Sequence, residues 1–220
     1  MRILIIGGHG KVARLLTPML VEDSHEVVAV VRNPDHVTDV ESDGATALVA
    51  DVEAMSEVAL TEMMREAGAD AVVWVAGAGG GAEERTYAVD RDAAIASIDA
   101  AVAGGVGRYV MLSYFGAGPD HGVPADNPFH AYAEAKTAAD AHLSDAELGW
   151  TIVRPSALTD DAPTGEIETS RAGASAGSVS RADVARVIAE TVARPGLART
   201  IIEFNNGATP ISVALAAQEN

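Results

Sequence analysis

The chain begins Met1-Arg2-Ile3-Leu4-Ile5-Ile6-Gly7-Gly8-His9-Gly10-Lys11-Val12-Ala13, and this stretch decides how the remainder is read. Ile3 to Ile6 form an unbroken apolar run, which predicts a buried strand. Glycines 7, 8 and 10 predict a turn, and Val12, Leu15, Leu16, Met19 and Leu20 recur at helical spacing. A strand ending in a glycine turn aims the free N–H groups and the dipole of the next helix at one point, which suits a phosphate. Gly7 allows the tight turn, Gly10 lets a pyrophosphate reach the backbone, and Ala13 is small enough for close helix–strand packing. The spacing is Gly-x-x-Gly-x-x-Ala, so its place at the first strand–helix junction carries more weight than the pattern itself. His9, Lys11 and Val12 lie in the same turn and join Gly7 and Gly10 as expected dinucleotide contacts.

Beyond this unit, strand-like and helix-like segments alternate along the chain. Strands are expected at 2–6, 26–31, 45–50, 70–75, 107–112, 149–153 and 200–204. Helices are expected at 11–21, 55–67, 83–103, 130–146 and 181–193, with a short one near 211–217. Runs such as Val27–Val31 and Ala71–Val75 are apolar throughout, as in parallel strands covered on both faces. The pattern predicts an α/β doubly wound (Rossmann) fold: a mostly parallel seven-stranded sheet with helices on both faces, in a single domain over 1–220. From 155 to 180 the periodicity lapses into Gly, Ser, Thr, Ala and Asp. That stretch reads as a long substrate-side loop at the carboxyl edge of the sheet. Ser180-Arg181-Ala182-Asp183 after it matches a capping box and marks the next helix start.

Composition narrows the function. The net charge is −17, with 32 acidic against 15 basic residues, which opposes binding to nucleic acid or an anionic membrane surface. No apolar run approaches membrane-spanning length, and the first strand starts after one basic residue, so neither a span nor a signal peptide is expected. The absence of cysteine removes disulfides, thiolate metal sites and cysteine nucleophiles. A cytoplasmic monomer or homodimer acting on a small molecule is the resulting expectation. The six histidines show no metal-ligand spacing, so no metal is expected.

The second strand ends Val30-Val31-Arg32-Asn33. A site for NAD places a carboxylate here for the ribose 2′-hydroxyl, whereas arginine suits the 2′-phosphate of NADP. Arg32, in so acidic a chain, therefore points to NADP over NAD, and Asn33 adds a donor. Asp51 and Val52 follow the third strand, where the carboxylate can accept from an adenine amino group. Ala76 and Gly77 end the fourth strand and open the glycine stretch 76–81, where a missing side chain admits the cofactor ribose and nicotinamide.

Tyr132-Ala133-Glu134-Ala135-Lys136 lies in a helical segment, which puts Tyr132 and Lys136 one turn apart on one face. An ammonium so placed is expected to lower the phenol pKa toward the range of a general acid/base. Ser113 ends the fifth strand at the same sheet edge, where its hydroxyl can hydrogen-bond a substrate oxygen. Tyr114 and Phe115 follow it as possible walls of the nicotinamide pocket.

Together these residues resemble the short-chain dehydrogenase/reductase superfamily. The Gly7-x-x-Gly10 spacing, the chain length and Thr151-Ile152-Val153-Arg154-Pro155 resemble its atypical branch, the NAD(P)-dependent epimerase/dehydratase-like and NAD(P)H-binding proteins. The resemblance implies that Tyr132 is the proton donor or acceptor, that Lys136 tunes it and holds the nicotinamide ribose, and that Ser113 orients substrate. It also implies a fourth site residue on the fourth helix, an asparagine in most of the superfamily, where this chain offers Asp90. An ionised aspartate only accepts hydrogen bonds, so a standard proton relay is not expected. The functional expectation is an NADP-dependent oxidoreductase acting on a small carbonyl, quinone or sugar-like substrate. Its alternatives are an NADP-dependent epimerase/dehydratase or a non-catalytic, redox-sensing NADP-binding regulator.

Overall fold

All seven expected strands form and pair in parallel. In the computed structural model, which describes residues 1–79 and 82–219, they are β1 (Arg2–Ile6), β2 (Glu26–Val31), β3 (Thr46–Val49), β4 (Ala71–Trp74), β5 (Arg108–Leu112), β6 (Gly149–Pro155) and β10 (Thr200–Asn206). Gly80 and Gly81, the end of the glycine stretch 76–81, lie outside the described residues. The order β3-β2-β1-β4-β5-β6-β10 reverses direction between β1 and β4, where Ile3 pairs with Val27 on one side and Ala71 on the other. Loops leaving the carboxyl ends of these two strands diverge, which opens a crevice at that point.

The sheet is buried on both faces because its strands alternate between two cores. Ile3 and Ile5 pack with Leu16 and Leu20 of α1 (Lys11–Glu22) and Ile188 of α7 (Arg181–Val192). Leu4 and Ile6 face the other way, toward Met64 of α3 (Glu57–Glu66), Ile98 of α5 (Ala94–Gly104) and Leu143 of α6 (His130–Asp145). Each of these side chains is almost fully buried and contributes about 2 kcal/mol of hydrophobic stabilisation. The expected helix at 83–103 is a composite: α4 (Glu83–Thr86), a π-helical turn at Tyr87–Ala93, then α5. The short helices α2 (Val37–Ser42) and α8 (Ile211–Ala216) complete the set.

Among the described residues the sheet has nine strands, not seven, and the segment 155–180 is not a structureless loop. It contains β7 (Ala157–Thr159), β8 (Glu166–Thr169) and β9 (Ser178–Ser180). β8 runs antiparallel along β10, with Thr169 opposite Phe204, and β11 (Thr209–Pro210) closes onto β8. β7 and β9 form a separate parallel pair. The free edge of β10 explains the extension, since its unpaired N–H and C=O groups need partners. Sequence periodicity could not show β8, because Glu166-Ile167-Glu168-Thr169 carries one strongly apolar residue.

The capping box at the start of α7 does more than begin a helix. Ser180 Oγ accepts from the Asp183 N–H (3.0 Å) and donates to its carboxylate (2.8 Å). Asp183 is buried and also accepts from the N–H groups of Thr164 and Gly165, both at 2.9 Å, which ties the 163–165 turn to the helix. Asp183→Ala strands these donors, and the expected cost is about 2 kcal/mol or more. A matching fall in the urea midpoint, with unchanged slope, would be measured by circular dichroism; an unaltered midpoint refutes the assignment.

Candidate active site

Two cavities meet at the carboxyl ends of β1 and β4. A groove of about 320 Å³ runs along Gly7, His9, Gly10, Arg32, Asp51 and Val52, and a cavity of about 700 Å³ is lined by Asp90, Ser113, Tyr132 and Lys136. Both are bounded by Val75, Ala76 and Gly77, so one elongated ligand can span them.

The groove is shaped by absent side chains. Gly7 sits at φ +91°, and a Cβ there would lie 2.6 Å from the Ala76 backbone. Gly10 precedes α1 with φ −63°, an ordinary value, so its lack of a side chain serves space and not conformation. No side chain caps the first turn of α1, which leaves its N–H groups facing the groove end. That cradle fits a dinucleotide pyrophosphate. Gly10→Ala is therefore expected to weaken NADPH binding about tenfold while leaving the melting temperature within a degree or two, read by fluorescence titration and thermal scan. Equal affinity in the variant would remove the pyrophosphate from this turn.

Not every expected contact lies in the groove. Lys11 Nζ points instead to Asp160 after β7 (2.8 Å), a carboxylate shared with Arg181 (2.7 Å). Val12 is buried in the core beneath α1, leaving only its backbone for a ligand. The Asn33 side-chain carbonyl accepts from the Asp35 N–H and caps the 3-10 turn at Pro34–His36, and Asn33 is not among the residues lining the groove. His9 stacks on His36 with ring centroids 3.5 Å apart and contacts Asp39 (2.8 Å). Arg32 does line the groove, held loosely by Glu53 (3.4 Å), which Arg85 of α4 also approaches (4.0 Å). Arg85 has no signature in the sequence, because its α4 turn comes near β2 only through the fold.

In the larger cavity the helix spacing holds: Tyr132 and Lys136 are on one face of α6. The Tyr132 ring lies 5.1 Å from that of Phe129 and 5.7 Å from that of Tyr114, between centroids, while neither Tyr114 nor Phe115 is among the residues lining the cavity. The expected direction of the Tyr132 pKa is reversed. Burial pushes the phenol above the ordinary tyrosine range, and the negative charges of Asp90 and Asp140 push it further. The same two carboxylates also act on the charge of Lys136, raising its pKa against burial. Lys136 is itself fully buried, and burial lowers its pKa against the pull of Asp140 and Asp90.

Asp90 lies on the π-helical turn and accepts from the Ala78 N–H (3.0 Å); one carboxylate oxygen lies 3.1 Å from where a Gly77 side chain would begin. It thus holds the loop after β4 against the site. Ser113 Oγ donates to Asp140 (2.7 Å), and Arg154 Nε donates to the same oxygen (2.9 Å). Asp140, one turn beyond Lys136, is the site residue that sequence reading missed. Its signal was present, in the sense that Tyr132, Lys136 and Asp140 repeat every four residues on one helix face.

A glycine cradle at β1–α1 joined to a Tyr–Lys cavity defines a dinucleotide-binding Rossmann protein. Residues 7–195 match the NAD(P)H-binding family, and the chain belongs to that family. It is 30% identical to an uncharacterised sugar epimerase, YhfK of Bacillus subtilis, over 98% of this chain and 99% of that one. Among solved structures, a Bacillus halodurans protein that carries the provisional name NAD-dependent epimerase/dehydratase superposes with a TM-score of 0.87 at 35% identity, covering 98% and 99% of the two chains. The oxidoreductase YlbE of Lactococcus lactis gives 0.86 at 28% identity, covering 99% and 96%.

Proposed function

We propose that this protein is an NADP-dependent oxidoreductase that reduces a small carbonyl, quinone or sugar-like substrate, with Tyr132 as proton donor. The observation that carries the reading is the continuity of the two cavities at Val75–Gly77, with Tyr132 and Lys136 together beyond the junction. The oxidoreductase name of one similar structure and the epimerase names of other similar proteins support nicotinamide chemistry at this site.

When bound, the reduced nicotinamide supplies the hydride; the protein supplies position and the proton. Gly7, Gly10 and the first turn of α1 hold the pyrophosphate. Arg32 pairs with the 2′-phosphate, and the Ala76–Gly77 edge admits the nicotinamide ribose, which Lys136 anchors. The high pKa of Tyr132 keeps its O–H intact across neutral pH, so it donates to the substrate oxygen as negative charge develops there. Asp90 fixes the cavity wall by holding Ala78.

NADPH oxidation measured against menadione, FMN and 4-nitrobenzaldehyde tests the proposal, with Tyr132→Phe as the paired variant. Binding of NADPH with no oxidation of any of them favours a regulator. The epimerase names of the relatives support a second reading, in which the same residues act on a sugar nucleotide with no net consumption of cofactor. Interconversion of UDP-glucose and UDP-galactose with catalytic cofactor alone would favour it.

A further inference from the structure

Asp140 is buried at 2% exposure behind the cavity, one helical turn beyond Lys136 on α6, where burial raises its pKa against the pull of Lys136, Arg154 and Ser113. One oxygen accepts from both the Ser113 hydroxyl (2.7 Å) and the Arg154 guanidinium (2.9 Å). The other oxygen is buried without a hydrogen-bond partner. Arg154 reaches Glu203 of β10 (3.5 Å), whose carboxylate also accepts from the Gly116 N–H (3.1 Å). Lys136 lies one turn before Asp140 on α6 and lines the cavity together with Asp90 of the π-helical turn, and both carboxylates act on its charge. Tyr114 and Tyr132 are the remaining titratable groups in reach of its charge.

A serine hydroxyl has one proton. Given to Asp140, it is not available to a ligand, so toward the cavity Ser113 can only accept. From this geometry we infer that Asp140 is a positioning residue: it holds Ser113 as a pure acceptor toward the cavity and supplies the counter-charge that keeps buried Lys136 an ammonium. The inference rests on the proposed site and extends it. A substrate carbonyl then takes its hydrogen bond from Tyr132 and not from Ser113, and Ser113 binds a ligand through an O–H or N–H that the ligand itself donates. The preferred substrates are carbonyl compounds with a neighbouring hydroxyl, and not isolated aldehydes.

Asp140→Asn keeps the shape and removes the charge. The chain contains two lysines, Lys11 and Lys136, so [ε-13C]lysine labelling of the protein without cofactor gives two resonances, and Lys136→Arg assigns them. In Asp140→Asn the Lys136 resonance is expected to titrate at least one pH unit lower, while that of Lys11 stays in place. In NADPH-dependent reduction of menadione, kcat is expected to fall about tenfold with little change in KM. In a Ser113→Ala background the same change is expected to cost clearly less than tenfold, since its route through Ser113 is already gone and only the one through Lys136 remains. An unmoved Lys136 titration, or losses that multiply in the double variant, overturns the inference. Asp140→Glu retains the charge and is expected to restore the Lys136 titration, which keeps the test decisive should Asp140→Asn not fold. Full activity in Tyr132→Phe would instead remove the proposed site itself, and this inference with it.

Discussion

Tyr132→Phe is expected to lower kcat for NADPH-dependent reduction by about 10²- to 10⁴-fold, the usual range for a lost general acid. That corresponds to roughly 3–5 kcal/mol of transition-state stabilisation at 1.36 kcal/mol per tenfold. The affinity for NADPH is expected to stay within about twofold, because the pyrophosphate cradle and Arg32 lie in the groove and not around the phenol. The size of the effect follows from the hydrogen-bond accounting at the site. Ser113 donates its proton to Asp140, and in the proposed mechanism Lys136 is assigned to the nicotinamide ribose. Among the described residues lining the cavity this leaves the hydroxyls of Tyr132 and Thr86 with a proton to give, and Tyr132 is the one that shares a helix face with Lys136. Since burial and the neighbouring carboxylates raise its pKa, the reductive rate is expected to be independent of Tyr132 ionisation between about pH 6 and 9. The oxidative direction, which needs the phenolate, is expected to rise with pH over the same range. Stopped-flow measurement of both directions checks the sign. A wild-type reductive rate that drops near neutrality would mean that another group donates.

The legibility of this site was uneven for physical reasons. Helical spacing is a local rule, so Tyr132 and Lys136 could be placed on one face of α6 from the sequence, and the structure keeps them there. Strand ends are nearly as local: Gly7, Arg32, Ala76 and Ser113 all sit at carboxyl ends of a parallel sheet, where any doubly wound fold gathers them. Direction of the side chains was not local. Lys11 has the right address for a phosphate but turns to Asp160, a residue 149 positions away. Ser113 turns to Asp140, and the charge environment of Tyr132 depends on Asp90 and Asp140 as well as Lys136. The sign of a pKa shift is a balance of burial and several charges, and no pairwise spacing contains it. The fold shows the same division. Long apolar strands were readable, while β8 exists because β10 offered an open edge and Ile167 and Thr169 could be buried against it.

Arg32→Ala is expected to weaken NADPH binding by about 5- to 30-fold and NADH binding by less than threefold. A charge-assisted bond of a guanidinium to a phosphate contributes roughly 1.5–3 kcal/mol. Arg32 is about half exposed (54%), so screening lowers that to about 1–2 kcal/mol. The discrimination is asymmetric because the 2′-hydroxyl of NADH offers no charge for the guanidinium to meet. In the structure Arg32 is held by Glu53 at 3.4 Å, a long contact that a phosphate can displace. Glu53 is thus a competitor for the same guanidinium, and its own negative charge opposes the 2′-phosphate. Glu53→Gln should consequently strengthen NADPH binding by several fold and leave NADH nearly unchanged. The preference for NADPH should also shrink as ionic strength rises, since the contributing charges are exposed. Isothermal titration of both cofactors at two salt concentrations tests all three expectations. Equal losses of NADPH and NADH in Arg32→Ala would assign this arginine to the adenine face, and the choice of cofactor would then fall to Arg85, which meets the same carboxylate from α4.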